Sequence, residues 1–196
     1  MKKLLLVVLC LSIGSSSFSQ YWDIDLLRQI NVNRNTNLDG TFLFFTNSVT
    51  PVTISTPVLI TGIGLLKKDS LLTRKGLYIG ASILVSGGIA TVLKYSINRP
   101  RPFTTYSDIQ KLTEGGSPSF PSGHTSDAFS IATSLSIAFP KWYVIAPAFT
   151  WAGAMGYSRM HLGVHYPTDV LAGAIVGAGS AYLCHQLNLW LAHRKK

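Results

Sequence analysis

Five long apolar runs limit the folds open to this 196-residue chain more than any other feature. They lack the alternation of a half-buried strand and exceed the usual strand length, which indicates helices. The runs are Thr41–Leu66, Gly76–Ser96, Ser122–Phe139, Trp142–Tyr157 and Thr168–Ala192. Because 13% of the residues are charged, against roughly 25% in soluble domains, the composition favours a membrane protein. The sequence predicts an all-α helical bundle with about five transmembrane helices, formed by residues 20–196.

Two of these runs carry information about packing. The third contains Asp127 and many serines and threonines, so we expect it to lie inside the bundle. The last contains Gly173 and Gly177 at the spacing of small residues that lets helix backbones approach closely.

The first 19 residues have the pattern of a secretory signal peptide. Two lysines precede a short apolar stretch, Leu4–Ile13, and a small-x-small cleavage site follows at Ser17–Ser19. The stretch is shorter than the roughly 20 residues of a spanning helix. An uncleaved anchor is the alternative. Cleavage would remove Cys10 and leave Cys184 as the remaining cysteine, so we expect no internal disulfide.

The segment after the predicted signal peptide indicates one short amphipathic helix. Its apolar face is formed by Trp22, Leu26, Leu27 and Ile30. The charged residues Asp23, Asp25 and Arg28 lie elsewhere on the helix. A helix on the membrane surface and a helix packed on the core both fit this pattern.

The basic loops predict the orientation in the membrane. Short loops rich in Lys and Arg face the cytoplasm, which places Lys67–Lys75, Lys141 and Arg194–Lys196 inside. Residues 98–121 and 158–167 then face outward, towards the periplasm if the membrane is a bacterial inner membrane. The net charge of +9 is spread over short clusters between apolar runs, which argues against a nucleic-acid partner.

Several cations break this pattern because they fall on the predicted outer side. They are Lys94, Arg99, Arg101, Lys111 and Arg159. A bound anion would explain such a group, although for Lys111 we favour a solvated loop charge. Arg101 and Arg159 each offer a planar fork of donors for two phosphate oxygens, and Lys94 adds a point charge.

The sequence Pro121–His124 should supply further anion ligands. It precedes an apolar helix, so the backbone N–H groups of Ser122 and Gly123 lie where anions bind readily. Gly123 has no side chain to block a close approach, and Ser122 adds a hydroxyl donor.

Two histidines in these outer stretches fit phosphoryl transfer. Asp169 follows His165 by one helical turn and can fix its tautomer, leaving the other ring nitrogen free as a nucleophile. His124, beside the anion site, can protonate the leaving oxygen and later take a proton from water.

The three stretches resemble the signature of the type 2 phosphatidic acid phosphatase superfamily, K-x6-RP, PSGH and SR-x5-H-x3-D, at residues 94–102, 121–124 and 158–169. The resemblance implies metal-free hydrolysis of a phosphate ester or anhydride through a phosphohistidine, without a cofactor. His165 would be the nucleophile, His124 the general acid and base, and Asp169 the orienting partner. The other signature residues would bind phosphate: Lys94, Arg101, Ser122, Gly123 and Arg159. The pattern assigns no role to Arg99 or His161.

The resemblance also leaves alternatives. The apolar runs favour a lipid phosphatase of the inner membrane with a periplasmic site, whose substrate is a lipid phosphate or pyrophosphate. A soluble periplasmic acid phosphatase, a vanadate-dependent haloperoxidase and a non-catalytic protein that binds anionic lipid are the rivals. We expect the loop Phe103–Phe120 and an opening between helices to set selectivity.

Overall fold

The computed structural model describes residues 21–193, with side chains to residue 190, and is helical in that range without a β-strand. Helix α1 covers residues 21–31, and a short 3-10 helix covers Thr36–Leu38. The other helices are α2 Asp39–Leu66, α3 Ser70–Ile97, α4 Pro102–Thr105, α5 Gly123–Ala138, α6 Trp142–His161 and α7 Pro167–His193. The predicted all-α class is confirmed. The predicted signal peptide, residues 1–19, lies outside the described residues.

Local capping explains where the central helices begin and end. The Asp69 carboxylate accepts hydrogen bonds from the backbone N–H groups of Leu71 and Leu72, at 2.9 and 3.0 Å, which starts α3 six residues before the predicted run. Asn98 ends α3 in the left-handed conformation, with φ of 49°. Helix α5 begins after Ser122, where the sequence predicted a helix start, and the Ser122 side chain caps it.

Within residues 21–190, three helices, α2, α3 and α7, lie in segments long and apolar enough to cross a membrane, at Thr36–Leu66, Ser70–Thr105 and Pro167–Trp190. Helices α5 and α6 have 16 and 20 residues. The chain is therefore a multi-pass membrane protein, while the number of five spans stays a prediction.

Helix α5 occupies the centre of the bundle and packs against α2, α3, α6 and α7. Its hydroxyl-bearing residues Thr125, Ser126, Ser130 and Ser134 are buried, which confirms that this run lies inside. A Cβ on Gly173 of α7 would stand 2.6 Å from the carbonyl oxygen of Ser122, and one on Gly177 would collide with that of Ser126. The predicted close approach of helix backbones is thus between α7 and α5.

Helix α1 packs on the core, which resolves the two alternatives left by its pattern. Ile24 and Leu27 are buried with Ile109 and Tyr166. The predicted orientation was wrong for two residues, because Trp22 is 59% exposed and Asp23 is 1% exposed. Asp23 is buried because its carboxylate has partners in α7 and beside α3.

Candidate active site

A cavity of about 200 Å³ lies at one end of the bundle. It is lined by Lys94, Arg101, Glu114, Gly115, Gly116, Ser117, Gly123, His124, Arg159 and His165. Six of the eight predicted site residues therefore share one cavity, and the other two, Ser122 and Asp169, lie directly behind it. Three of the lining side chains are cationic and one is a carboxylate, so the cavity suits an anion.

The antiparallel course of the helices brings these residues together. Lys94 lies in the last turn of α3 and Arg159 in the last turn of α6. His124 lies in the first turn of α5, and His165 precedes the start of α7. Because neighbouring helices run in opposite directions, the ends of α3 and α6 meet the starts of α5 and α7. The sequence motifs are therefore far apart in the chain and adjacent in space.

His165 and Asp169 form a buried pair. Nδ1 of His165 is 3.4 Å from Oδ2 of Asp169, and the two side chains are 2% and 0% exposed. The same carboxylate oxygen accepts hydrogen bonds from the Ser119 hydroxyl at 2.5 Å and the Tyr166 backbone N–H at 3.0 Å. These donors fix the carboxylate, so it can in turn fix the imidazole.

The protonation of His165 follows from its surroundings. Burial lowers its pKa to about 3, although Asp169 opposes that shift. The ring is therefore neutral at pH 7. Nε2 faces the cavity side, where Arg101 Nη1 lies 3.3 Å away. An unprotonated nitrogen that faces an anion pocket is suited to attack at phosphorus.

Backbone carbonyls orient the three cations. Lys94 Nζ donates to the carbonyl of Pro118 at 2.8 Å, and Arg101 Nε donates to that of Ser117 at 2.8 Å. Arg159 donates to the carbonyl of Glu114 at 3.3 Å and to the Thr46 hydroxyl. Its Nε is buried and has no partner among the described residues.

Residues 114–118, which supply these carbonyls, belong to the loop Phe103–Phe120 that the sequence predicts to set selectivity. The contact of this loop with the cations was not predicted from the sequence. A Cβ on Gly115 would stand 2.5 Å from Arg101 Nη1, so any larger residue at this position would require the guanidinium to move. The glycine pair in "EGGS" is the one signal in the sequence that could have indicated this contact. Lys111 is outside the cavity and lies over the Phe103 ring, 4.8 Å from its centroid.

Ser122 differs from the prediction in one respect. Its backbone N–H donates to the carbonyl of Asp169 at 3.0 Å, so this amide is not free to bind phosphate. Its side-chain oxygen accepts a hydrogen bond from the Thr125 hydroxyl at 2.9 Å. Gly123 and His124 instead present the start of α5 to the cavity. Ser122 thus joins α5 to α7 and sets the position of that helix end.

The fold and the site define a helical membrane protein with an anion pocket that two histidines share. Residues 75–192 match the family model of the PAP2 superfamily. An undecaprenyl-diphosphatase of Sulfolobus acidocaldarius is 32% identical over 85% of this chain and 78% of that protein. The chain belongs to the PAP2 superfamily, as the three motifs indicated.

Other similar proteins match a shorter stretch of the chain or have a known structure. A lipid A 4'-phosphatase of Bacteroides thetaiotaomicron is 32% identical over 52% of this chain, which is 46% of that protein. The crystal structure of Aquifex aeolicus LpxE has a TM-score of 0.71 and 32% identity, and covers 84% of this chain and 95% of LpxE. That of a PAP2 type phosphatidylglycerolphosphate phosphatase from Bacillus subtilis has a TM-score of 0.69 and 26% identity, with 94% of both chains covered.

Proposed function

We propose that this protein is a lipid phosphatase that hydrolyses a lipid phosphate or pyrophosphate monoester through a phosphohistidine, without a metal ion. The observation that carries the proposal is that His124 and His165 line the same cavity as three cations. A phosphoryl group in that cavity would have a nucleophile, a proton donor and positive charge within reach. Phosphoryl transfer depends mainly on positioning and electrostatic stabilisation, which this arrangement supplies.

In the first step, His165 Nε2 attacks the phosphorus atom and forms the N–P bond. The bond from phosphorus to the leaving oxygen breaks, and His124, which enters the step as the imidazolium ion beside the phosphate anion, donates its proton to that oxygen. Lys94, Arg101 and Arg159 stabilise the negative charge on the oxygens that remain bound to phosphorus. Asp169 accepts the Nδ1–H of His165 and so stabilises the positive charge that develops on the ring.

In the second step, a water molecule attacks the phosphohistidine. His124, now neutral, takes a proton from the water while the new O–P bond forms. The N–P bond breaks, its electrons return to Nε2 of His165, and inorganic phosphate leaves. Both histidines are then in their starting protonation states.

A lipid substrate is supported by the helices and by the relatives. Three of the similar proteins are named for undecaprenyl diphosphate, lipid A and phosphatidylglycerolphosphate. An apolar groove of about 820 Å³ between α2 and α3, lined by residues such as Ile54, Val58 and Leu84, can take a hydrocarbon chain. Asp127 also lines this groove and lies one turn after His124, which brings one end of the groove near the cavity, while most of the other lining residues lie in the halves of α2 and α3 next to their connection.

The location of the site at the periplasmic face of the inner membrane is also a proposal. Lys67, Lys68, Arg74 and Lys75 lie around the connection of α2 to α3, at the opposite end of α3 from Lys94. The positive-inside rule places that connection in the cytoplasm, and the cavity therefore outside.

The test is phosphate release by detergent-purified protein from a panel of lipids. The panel contains undecaprenyl diphosphate, phosphatidylglycerol phosphate, phosphatidic acid and lipid A, with a water-soluble aryl phosphate as comparison. We expect release from at least one lipid at a higher kcat/KM than from the aryl phosphate. A preference for the aryl phosphate would favour a non-specific acid phosphatase, and lipid binding without release would favour a non-catalytic protein. Either result contradicts the proposal.

A further inference from the structure

We propose that Arg99 and Asp23 are positioning residues for the nucleophile, which act through Asp169, and that helix α1 thereby completes the active site. The inference rests on the proposed function, because it assigns their role to the same His165. Neither residue lines the cavity, and the family signature includes neither. Their contacts nevertheless form a continuous path from α1 to the imidazole.

The path begins at Asp169, whose two carboxylate oxygens have different partners. Oδ2 faces His165, while Oδ1 accepts a hydrogen bond of 2.7 Å from Arg99 Nη1. Arg99 also reaches the other oxygen indirectly, because its backbone carbonyl accepts the N–H of Ser119, whose hydroxyl donates to Oδ2. Arg99 therefore acts together with the Ser119 and Tyr166 donors to set the plane in which this carboxylate meets His165.

The guanidinium of Arg99 is itself fixed on several sides. Nη2 donates to Asp23 Oδ2 at 2.6 Å, and Nη1 also donates to the Thr168 hydroxyl at 2.8 Å. The guanidinium carbon lies 3.8 Å from the centroid of the Tyr166 ring. A planar fork that binds two carboxylates at once is a geometry that arginine provides and lysine does not.

Asp23 connects this arrangement to helix α1. Its second oxygen, Oδ1, accepts the backbone N–H of Thr168 at 2.9 Å, in the first turn of α7. Asp23 thus satisfies a free N–H at the start of the helix that carries Asp169, and its negative charge is favourable at that helix end. The same carboxylate therefore orients Arg99 and secures the first turn of α7.

The charges along the path alternate from Asp23 to Arg99 to Asp169. Loss of Arg99 would leave two buried carboxylates without the cation between them, and Asp169 would turn away from His165. Replacement with lysine retains one positive charge but loses the planar fork whose two nitrogens reach Asp169 and Asp23 separately. Arg99→Lys therefore tests the orientation of Asp169 without removing the positive charge between the two carboxylates.

A matched control is available on the same helix. Arg28 of α1 forms an exposed ion pair with Asp108 at 2.8 Å, and this pair also ties α1 to the loop over the site. Arg28→Gln weakens the attachment of α1 without touching Arg99 or Asp169. If Asp23→Asn lowers kcat and Arg28→Gln does not, the loss comes from the contacts of Asp23 with Arg99 and Thr168 and not from weaker attachment of α1.

The experiment measures kcat and KM of phosphate release for each variant, after size-exclusion chromatography has verified the fold. We expect Arg99→Lys and Asp23→Asn to lower kcat by ~10- to 100-fold, because small displacements of reacting groups have effects of that size. KM should change little, since the phosphate-binding cations are untouched. Arg28→Gln should behave like the wild type. In an Asp169→Asn background, Arg99→Lys should have almost no further effect, because the two residues act in one path.

Three results would overturn the inference. They are a wild-type kcat for Arg99→Lys, an equal loss in the presence and absence of Asp169→Asn, and an equal loss for Arg28→Gln and Asp23→Asn. A wild-type protein that releases no phosphate from any lipid would instead contradict the proposed function.

A spectroscopic measurement tests the positioning role independently of turnover. In ¹⁵N-histidine NMR spectra, Arg99→Lys should change the His165 ring-nitrogen shifts while Arg28→Gln leaves them as in the wild type. Unchanged shifts in Arg99→Lys would contradict the inference whatever the activity.

Discussion

Nη1 of Arg101 lies 3.3 Å from Nε2 of His165. A guanidinium can donate hydrogen bonds but cannot accept them, so Nε2 must carry its lone pair in this arrangement. The proton of the neutral ring is then on Nδ1, which faces Asp169. Two neighbours on opposite sides of the ring therefore select the same tautomer, and it is the tautomer that a nucleophilic Nε2 requires.

This tautomer leads to a prediction for the nucleophile. His165→Ala should lower kcat by more than ~10³-fold and abolish labelling of the protein by phosphate, as loss of a nucleophile does in other enzymes. Phosphate release and acid-quenched phosphohistidine are the measurements. His185→Ala is the control, because His185 lies in α7 near Tyr78, outside the cavity, and should leave both readouts unchanged. Persistent turnover in His165→Ala would contradict the assigned role.

The neighbouring glycines of the loop 114–118 give a second prediction. Gly115→Ala should lower kcat/KM by ~10- to 100-fold, because the new methyl group would displace the Arg101 guanidinium 2.5 Å away. Gly116→Ala adds the same methyl group one residue further on in the cavity lining, where no other atom lies within 4 Å, so it should lower kcat/KM less than Gly115→Ala does. Steady-state kinetics of the pair provide the comparison. Equal activities of the two variants would show that the guanidinium is not held by close contact with the loop.

The contact of α7 with α5 predicts a change in stability. Gly177→Ala should lower the free energy of unfolding by about 1–3 kcal/mol, since the methyl group would be forced against the backbone of Ser126. Gly179→Ala faces open space and should be at least as stable as the wild type. Thermal unfolding in detergent measures both. A Gly177→Ala variant as stable as Gly179→Ala would contradict the close packing.

The proposed chemistry predicts that chelators do not affect the rate of phosphate release. The positive charge at the site comes from Lys94, Arg101 and Arg159, so excess EDTA should leave phosphate release unchanged. A metal-dependent phosphatase in the same buffer serves as the positive control for chelation. Inhibition of this protein by EDTA that added Mg²⁺ or Zn²⁺ reverses would contradict a metal-free mechanism.

The helices could be predicted from the sequence because each long apolar run has few ways to bury its backbone polar groups. The residues of the candidate site could be located because the charged and polar motifs fall at helix ends, and successive helix ends alternate between the two ends of a bundle. Lys94, His124 and His165 are far apart in the chain, yet the alternation of helix direction alone places them together. Their catalytic roles stay predictions until the variants are measured.

The supporting contacts could not be predicted in the same way. Asp23 and Arg99 are 76 residues apart, and the pattern of α1 suggested that Asp23 pointed away from the apolar face. A buried carboxylate is stable there because Arg99 and Thr168 satisfy it, and those partners become visible after the helices are assembled. The amide of Ser122 was misassigned for a related reason, since its acceptor lies on another helix.

The junction between the first turns of α5 and α7 bears on how the active site would respond to changes in membrane thickness. The Ser122 amide donates a hydrogen bond to the Asp169 carbonyl, and Gly173 lets the backbones of α5 and α7 approach closely beside that hydrogen bond. Main-chain atoms, and not lipid-facing side chains, thus join the helix starts that lie beside His124 and His165. We therefore expect changes in membrane thickness that tilt α2 or α3 to affect the access of a substrate to the pocket more than the distance between the two imidazoles.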